Sequence, residues 1–233
     1  RENIIEASLL EFCAREELNK TSNRVMVVLD PLKLTITNYP SDTDEMVVSE
    51  NNPENPLSGE REMPFGKEIF IEKEDFKPEA NRKFFRLTIG KEVRLKSAYI
   101  IKANELVYDD QNNVVEVLCT YDPKSKSGSG TEESSRKVKA TIHWLGRKDA
   151  VAAKVNVYDR LFKVPEPGKE NKIKEDLNEN SLKTLDALIE PYLKEAKAGS
   201  SFQFQRLGYF IKEDGANQHV FNKTIGLKDS WKK

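Results

Sequence analysis

Apolar positions change their spacing near residue 24 of the chain. Between Arg1 and Asn19, Ile4, Ile5, Leu9, Leu10, Cys13 and Leu18 recur at intervals near three and four with Glu and Arg between them, which predicts an amphipathic helix. A lone β domain offers that stripe no partner, so the helix is expected to pack on something beyond one. From Arg24 the run VMVVLDPLKLTITNY is rich in β-branched residues and breaks at Asp30-Pro31. It then alternates Leu32, Leu34 and Ile36 with Lys33, Thr35 and Thr37, a pattern that predicts two strands. Further short strands are predicted at EIFIE, FFRLT, EVRLKSAYIIK, VVEVLCTY, RKVKATIHWL, AKVNVYDRLF, FQFQRLGYF and HVFNKTIGL, separated by Gly, Pro, Asn and Asp. Many short strands at this spacing predict a mainly all-β chain of barrels or sandwiches rather than a parallel sheet.

Two segments interrupt the pattern. The low-complexity KSKSGSGTEESS predicts a flexible loop over 124–136, because small polar residues and glycine form no core. It divides the chain into a helical connector (1–20), one β-barrel (21–123) and a second (137–233), with room for strands to cross between them. In SLKTLDALIEPYLKEAKAG, Leu182, Leu185, Leu188 and Ile189 fall in helical register with Pro191 inside the run; periodicity alone predicts a helix broken at the proline.

Charge adds a location. The 233 residues carry 38 Lys+Arg against 39 Asp+Glu, so the chain is no polycation that coats nucleic acid unselectively, and a nucleic-acid site has to be a patch. Lys77 to Lys102 holds eight basic residues against Glu79 and Glu92, while Ser41 to Glu62 holds seven acidic residues against Arg61. On a strand, Arg82, Phe84 and Arg86 would share one face and Lys83 and Phe85 the other. Such a surface could set arginine forks on base edges or phosphates with rings stacked on unpaired bases. It could equally be the solvated face of an amphipathic sheet, and composition does not separate the two.

Catalytic chemistry finds no foothold. His143 and His219 stand in strand-like contexts without a nucleophile elbow, and neither Cys nor His has a ligand-spaced neighbour, so no catalytic residue and no metal site is expected. Gly128 and Gly130 lie among serines rather than between a strand and a helix, which is the wrong context for a phosphate loop. Asp109-Asp110 and Glu132-Glu133 read as solvated loop acids. Cys13 and Cys119 are far apart in sequence, as expected for reduced thiols in the cytoplasm. No apolar run approaches the ~20 residues that span a bilayer.

RVMVVLDPLKLTITNY, MPFGKEIFIEKEDF, EANRKFFRLTIGKEVRLKSAYIIKA, CTYD, RKVKATIHWL, VYDRLF, FQFQRLGYF and VFNKTIGLKDSW resemble, in that order, the C-terminal region of bacterial-type glutaminyl-tRNA synthetases, from the first helix to Trp231. The resemblance implies two β-barrels, related to a ribosomal RNA-binding barrel and preceded by a short helix, that grip the anticodon loop of tRNA(Gln). It implies a parent enzyme that joins glutamine to tRNA(Gln) with ATP and magnesium. Neither ATP-binding signature motif occurs here, so this region itself is expected to hold no cofactor, and to work as a monomer with a catalytic domain in cis.

Carried over residue by residue, Arg24, Gln203 and Arg206 would attend the middle anticodon base. Arg86 would read the third base, and Arg94 would lie beside the first. Asn19 and Asn81 match further polar contacts of the loop, and Arg82, Lys83 and Lys91 are candidates for phosphate. Lys83 and Phe85 depart from Gln and Lys in some relatives, and Phe85 is expected in the core. Glu54 replaces a neutral amide, where a carboxylate would repel phosphate. The family's counterpart of 181–190 is extended, against the helical periodicity, and the extended form is the expectation adopted. Other readings are the same region of an archaeal or eukaryotic-type glutamyl-tRNA synthetase, a ribosomal RNA-binding barrel protein, and an unrelated β-barrel module.

Overall fold

The backbone from Asn23 to Val28 belongs to a different sheet from the strand that follows it, and this exchange organises the fold. The computed structural model describes residues 7–40, 43–169, 172–215 and 219–228. Ile4 and Ile5 of the predicted helix, Ser41 of the acidic stretch and Trp231 lie outside the described residues.

Helix α1 (Ala7–Thr21) leads into β1 (Asn23–Val25), β2 (Val27–Val28) and β3 (Pro31–Ile36), followed by the hairpin β4 (Glu45–Glu50) and β5 (Glu60–Phe65). Next come β6 (Glu68–Glu72), β7 (Glu92–Leu95), β8 (Ile100–Tyr108), β9 (Val114–Tyr121), the short helix α2 (Glu132–Ser135), β10 (Thr141–Ile142) and β11 (Leu145–Gly146). The chain ends with β12 (Val151–Tyr158), β13 (Leu182–Ile189), β14 (Ser201–Phe204), β15 (Gly208–Lys212) and β16 (Val220–Ile225).

One sheet runs β10-β7-β8-β9-β3-β6-β11 and the other β1-β14-β15-β16-β12-β13-β2. The two ends of each order are successive pieces of one extended segment, 141–146 in the first and 23–28 in the second, so each sheet curls back on itself as a barrel. Closure of this kind leaves few unpaired edges. Strands pass between the two halves of the chain: 23–28 closes the second sheet and 141–146 the first.

The run Val25-Met26-Val27-Val28 is 0% exposed throughout. Alternate side chains on an extended backbone point to opposite sides, and here both sides are covered. Val25 and Val27 enter the core of Phe204, Phe210 and Phe221, while Met26 and Val28 enter the core of Leu34, Phe65 and Trp144. Four hydrophobic residues in succession therefore encode a strand shared by two cores. Beside it, the buried Arg61 of β5 donates to both carboxylate oxygens of Glu190, at 2.6 and 3.0 Å, and the Met26 N–H donates to Glu190 at 3.0 Å. Burial pushes the Glu190 carboxyl up in pKa, opposed by Arg61 and the Met26 amide.

Two segments depart from the pattern read in the sequence. Residues 182–189 form no helix; they pair along their whole length with β12 and, at Leu188 and Ile189, with β2. The extended form that the resemblance implied is the one found. Alternation buries Ala187 and Ile189 and leaves Leu182 49% exposed, so the ladder, not the leucine spacing, sets the conformation.

Residues 84–88, predicted as the strand FFRLT, form only a single bridge, at Leu87, and Ile89 just beyond them forms another. Asn81 accounts for this: its side-chain oxygen takes the Lys83 N–H at 3.0 Å and its carbonyl the Phe84 N–H at 3.1 Å, which curls the backbone into a turn. The period-two face of Arg82, Phe84 and Arg86 does not form. Phe85 is 55% exposed rather than in the core.

Helix α1 is seated at its C-terminus, where the Asn52 side-chain amide donates to the carbonyls of Asn19, Lys20 and Ser22 at 3.0, 3.2 and 3.0 Å. These are carbonyls a helix end leaves unpaired. Leu9, Leu10 and Phe12 of the same helix are 57%, 71% and 55% exposed.

Removing one member of a buried ion pair strands its partner's charge, which typically costs about 3–5 kcal/mol. Arg61→Met is expected to lower stability by that order in denaturant unfolding. A loss below about 1 kcal/mol, the ceiling typical of exposed pairs, would show that the pair contributes little to joining the barrels.

Candidate nucleic-acid interface

The turn at Asn81 lifts 80–88 off the first sheet and leaves an open groove of about 530 Å³. Asn81, Arg82, Phe84, Phe85, Arg86 and Lys91 line one part of it and Lys102, Lys137 and Lys139 another. A second hollow of about 570 Å³ shares Phe84, Phe85, Arg86 and Lys139 and adds Lys77, Lys83 and Arg206. The two hollows adjoin to form a depression, with the exposed ring of Phe85 in their shared wall, and their charged lining is nine Lys and Arg side chains against Glu74 and Glu92. Lys77 sits over the Phe84 ring, 5.1 Å from its centroid. Such a surface favours a polyanion with unstacked bases, since the cations meet phosphates and the ring offers a stacking face.

At the back of the depression stands Asp75, 0% exposed, at the end of the 3-10 turn Lys73–Asp75. Its carboxylate accepts from both terminal nitrogens of Arg206 at 2.5 and 2.6 Å, and lies 3.0 Å from Nη1 of Arg86. Glu74, largely exposed, takes a further contact of 3.0 Å from Arg86. Burial alone would draw the Arg206 guanidinium down, but Asp75 more than offsets it and holds the group above its ordinary pKa. Arg206 sits at φ +69° in the turn between β14 and β15, a left-handed conformation that costs an L residue ~1–2 kcal/mol. The next turn residue but one, Gly208, has φ +146°, and a Cβ there would lie 2.7 Å from the Ile225 carbonyl.

Beside Arg206 lies a second cluster. Parallel pairing of β1 with β14 sets Arg24 opposite Gln203, and Arg24 donates to the Asn19 side-chain oxygen at 3.0 Å. The Tyr209 hydroxyl joins them, donating to Asn19 at 3.4 Å and accepting from Gln203 at 3.3 Å. Burial pushes the Tyr209 phenol up in pKa, as does Glu16, against Arg24 and Arg15. The Nε of Arg24 is buried without a hydrogen-bond partner among the described residues, and Glu54 lies 3.6 Å from its Nη2.

Arg94 is placed differently. Its guanidinium donates to the carbonyls of Ser125, Ser134 and Arg136 at 3.0, 2.8 and 3.2 Å and to the Ser127 hydroxyl at 3.3 Å. Burial, then the neighbouring Arg136, draws its pKa down. Arg94 therefore holds 125–136 in a folded turn and α2, and it is not among the residues lining the depression. The structure thus brings Arg86 and Arg206 together with Asn81, Arg82, Lys83 and Lys91, sets Asn19, Arg24 and Gln203 in an adjoining cluster, and leaves Arg94 apart.

Among the described residues no group of three or more His, Cys, Asp or Glu is placed to hold a metal ion, and no helix is long and apolar enough to cross a membrane. His143 is 1% exposed, and its ring nitrogens make no hydrogen bond among the described residues, although Nε2 lies 3.5 Å from the Glu72 carboxylate.

Two closed, interlocked β-sheets carrying one cationic depression define a double-barrel binding module. Comparison with known families identifies it further: two domains, each described as the anti-codon binding domain of class I tRNA synthetases (E and Q), match residues 22–122 and 141–213. The chain belongs to this family of anticodon-binding domains. It is 44% identical over its whole length to a glutamine–tRNA ligase of Vibrio vulnificus, covering 42% of that protein. To the glutamine–tRNA ligase of Rhodopirellula baltica it is 48% identical over 98% of its length, covering 39%. The chain thus spans about two fifths of the length of these relatives.

Asp75, Tyr209, Lys137 and Lys139 are site residues that sequence reasoning missed. The alternating cations of RKVK were a usable signal for the two lysines; Asp75 and Tyr209 carried none, since the contacts that draw them into the site, with Arg206 and Asn19, span 131 and 190 residues. For Arg94, the expectation is structural. Arg94→Ala should speed amide hydrogen exchange across 125–136 at least tenfold, as loss of about 1.5–3 kcal/mol of charged hydrogen bonds requires. Unchanged exchange there would show that the segment holds its fold without the guanidinium.

Proposed function

We propose that this chain binds the anticodon loop of tRNA(Gln), as the anticodon-reading part of an enzyme that joins glutamine to that tRNA with ATP and magnesium. The observation that carries the reading is the convergence, in one depression fed by both barrels, of Arg86 and Arg206 with exposed lysines and an exposed phenylalanine ring. An anticodon loop presents splayed bases whose Watson–Crick edges are open. Arginine forks suit the acceptor edges of guanine and uracil, and amides such as Gln203 and Asn81 can both donate and accept. In this reading Arg86 takes the third base, and Arg24, Gln203 and Arg206 attend the middle one. Lys83, Lys91 and Arg82 hold phosphates. Arg94 acts beside the first base through the segment it anchors.

The names of the relatives favour glutamine over glutamate as the amino acid of the cognate tRNA. The exposed face of α1, with Leu9, Leu10 and Phe12, suits a catalytic domain in cis. ATP and magnesium are needed there and not in the two barrels. The whole is taken to work as a cytoplasmic monomer, in keeping with two cysteines that form no disulfide.

Binding of glutamine and glutamate tRNAs, with anticodon-swapped forms of each and titrated with salt, tests the reading. Preference should follow the anticodon. Arg86→Ala is expected to cost ~1–3 kcal/mol and to relax discrimination at one base. Lys91→Ala should weaken all tRNAs alike and reduce the salt slope by about one. Equal loss for cognate and non-cognate tRNA in Arg86→Ala would contradict the assignment.

A further inference from the structure

Arg86 and Arg206 come from opposite barrels yet share one acceptor. Asp75 is 0% exposed, and a carboxylate so enclosed persists only if it is paired and hydrogen-bonded. Both terminal nitrogens of Arg206 are given to it, at 2.5 and 2.6 Å. Arg86 meets it only through Nη1, in an ion pair of 3.0 Å, while the same nitrogen donates to the Glu74 carboxylate at 3.0 Å; Nε and Nη2 of Arg86 make no hydrogen bond or ion pair among the described residues. The anchor itself is fixed, because its carbonyl accepts the Leu87 N–H at 2.9 Å and so ties it to the residue next to Arg86. Arg206 holds a left-handed backbone, φ +69°, that glycine or asparagine would adopt at lower cost. An arginine there makes physical sense when its guanidinium has a fixed task.

From this geometry we propose that Asp75 is a positioning residue for anticodon reading: one buried carboxylate sets both arginine forks and couples their discrimination. The inference rests on the anticodon-binding reading above. A fork discriminates between bases only when its plane is held. Because Arg86 pairs with Oδ1, one of the two Asp75 oxygens that hold Arg206, displacement of either guanidinium loosens the other. Asp75 touches no base in this scheme; it acts through Arg86 and Arg206.

The test uses the full chain and stem-loop RNAs carrying a glutamine anticodon, or that anticodon altered at its middle or third base. Asp75→Asn is expected to reduce discrimination at both bases at least fivefold, with an unchanged salt slope, and Asp75→Glu to restore part of it. A folded Asp75→Asn that discriminates as well as the parent chain overturns the proposal. Should Asp75→Asn fail to fold, a cycle of Arg86→Gln and Arg206→Gln decides. Coupling predicts that the double variant loses at least fivefold less affinity than the product of the single losses, and a loss equal to that product overturns it. If the parent chain itself fails to distinguish the RNAs, the anticodon reading falls and takes the positioning role with it. Discrimination kept in the parent but shown to be independent of Asp75 removes the positioning role alone.

Discussion

The fold turns on one strand that is buried on both sides. Val25 and Val27 fill one core while Met26 and Val28 fill the other, so the strand that closes the second barrel also completes the core of the first. The Arg61–Glu190 pair, with the Met26 amide on the same carboxylate, seals the joint where that strand passes. Sharing a strand fixes the separation and rotation of the barrels far more tightly than a flexible linker would. That fixity brings the β14–β15 turn, with Arg206, to Asp75 of the first barrel.

Arginine serves two purposes in this molecule, and the number of protein acceptors separates them. Arg94 has four oxygen partners and Arg61 is enclosed by Glu190, Asn51 and the Glu50 carbonyl; both are scaffold. Arg86 engages through one nitrogen and lines the depression, so its remaining donors stay available to a ligand. Arg24 stands between these cases, with Asn19 on one nitrogen and a buried Nε without a partner among the described residues. A guanidinium whose donors are all occupied cannot also read a base at no cost, because each protein hydrogen bond has to be broken first.

Much of the fold was legible in the chain. Alternation at Leu32, Leu34 and Ile36, which are buried, against Lys33, Thr35 and Thr37, which are not, is the period-two signature at its clearest. The leucines of 182–189 misled because a strand of mixed burial can match helical spacing by coincidence, and the ladder with β12 is a long-range fact. The strand predicted over FFRLT failed through Asn81, whose side chain competes locally for backbone N–H groups. The hairpin of β4 and β5 went unread because polarity does not follow burial in β4, where Met46 and Val48 are exposed and Ser49 is buried beside Val47. At the site, residue types and order were readable, but the partnership of Asp75 with Arg206 depends on the approach of two barrels, and no local pattern carries that.

The central claim is that both barrels present a single surface to one RNA. Amide hydrogen exchange of the chain, with and without a stem-loop carrying a glutamine anticodon, measures this directly. The account predicts slowed exchange around 74–91 and 137–141 of the first barrel together with 203–209 of the second, at one RNA per chain. Protection confined to one barrel, or spread evenly over both, would contradict it.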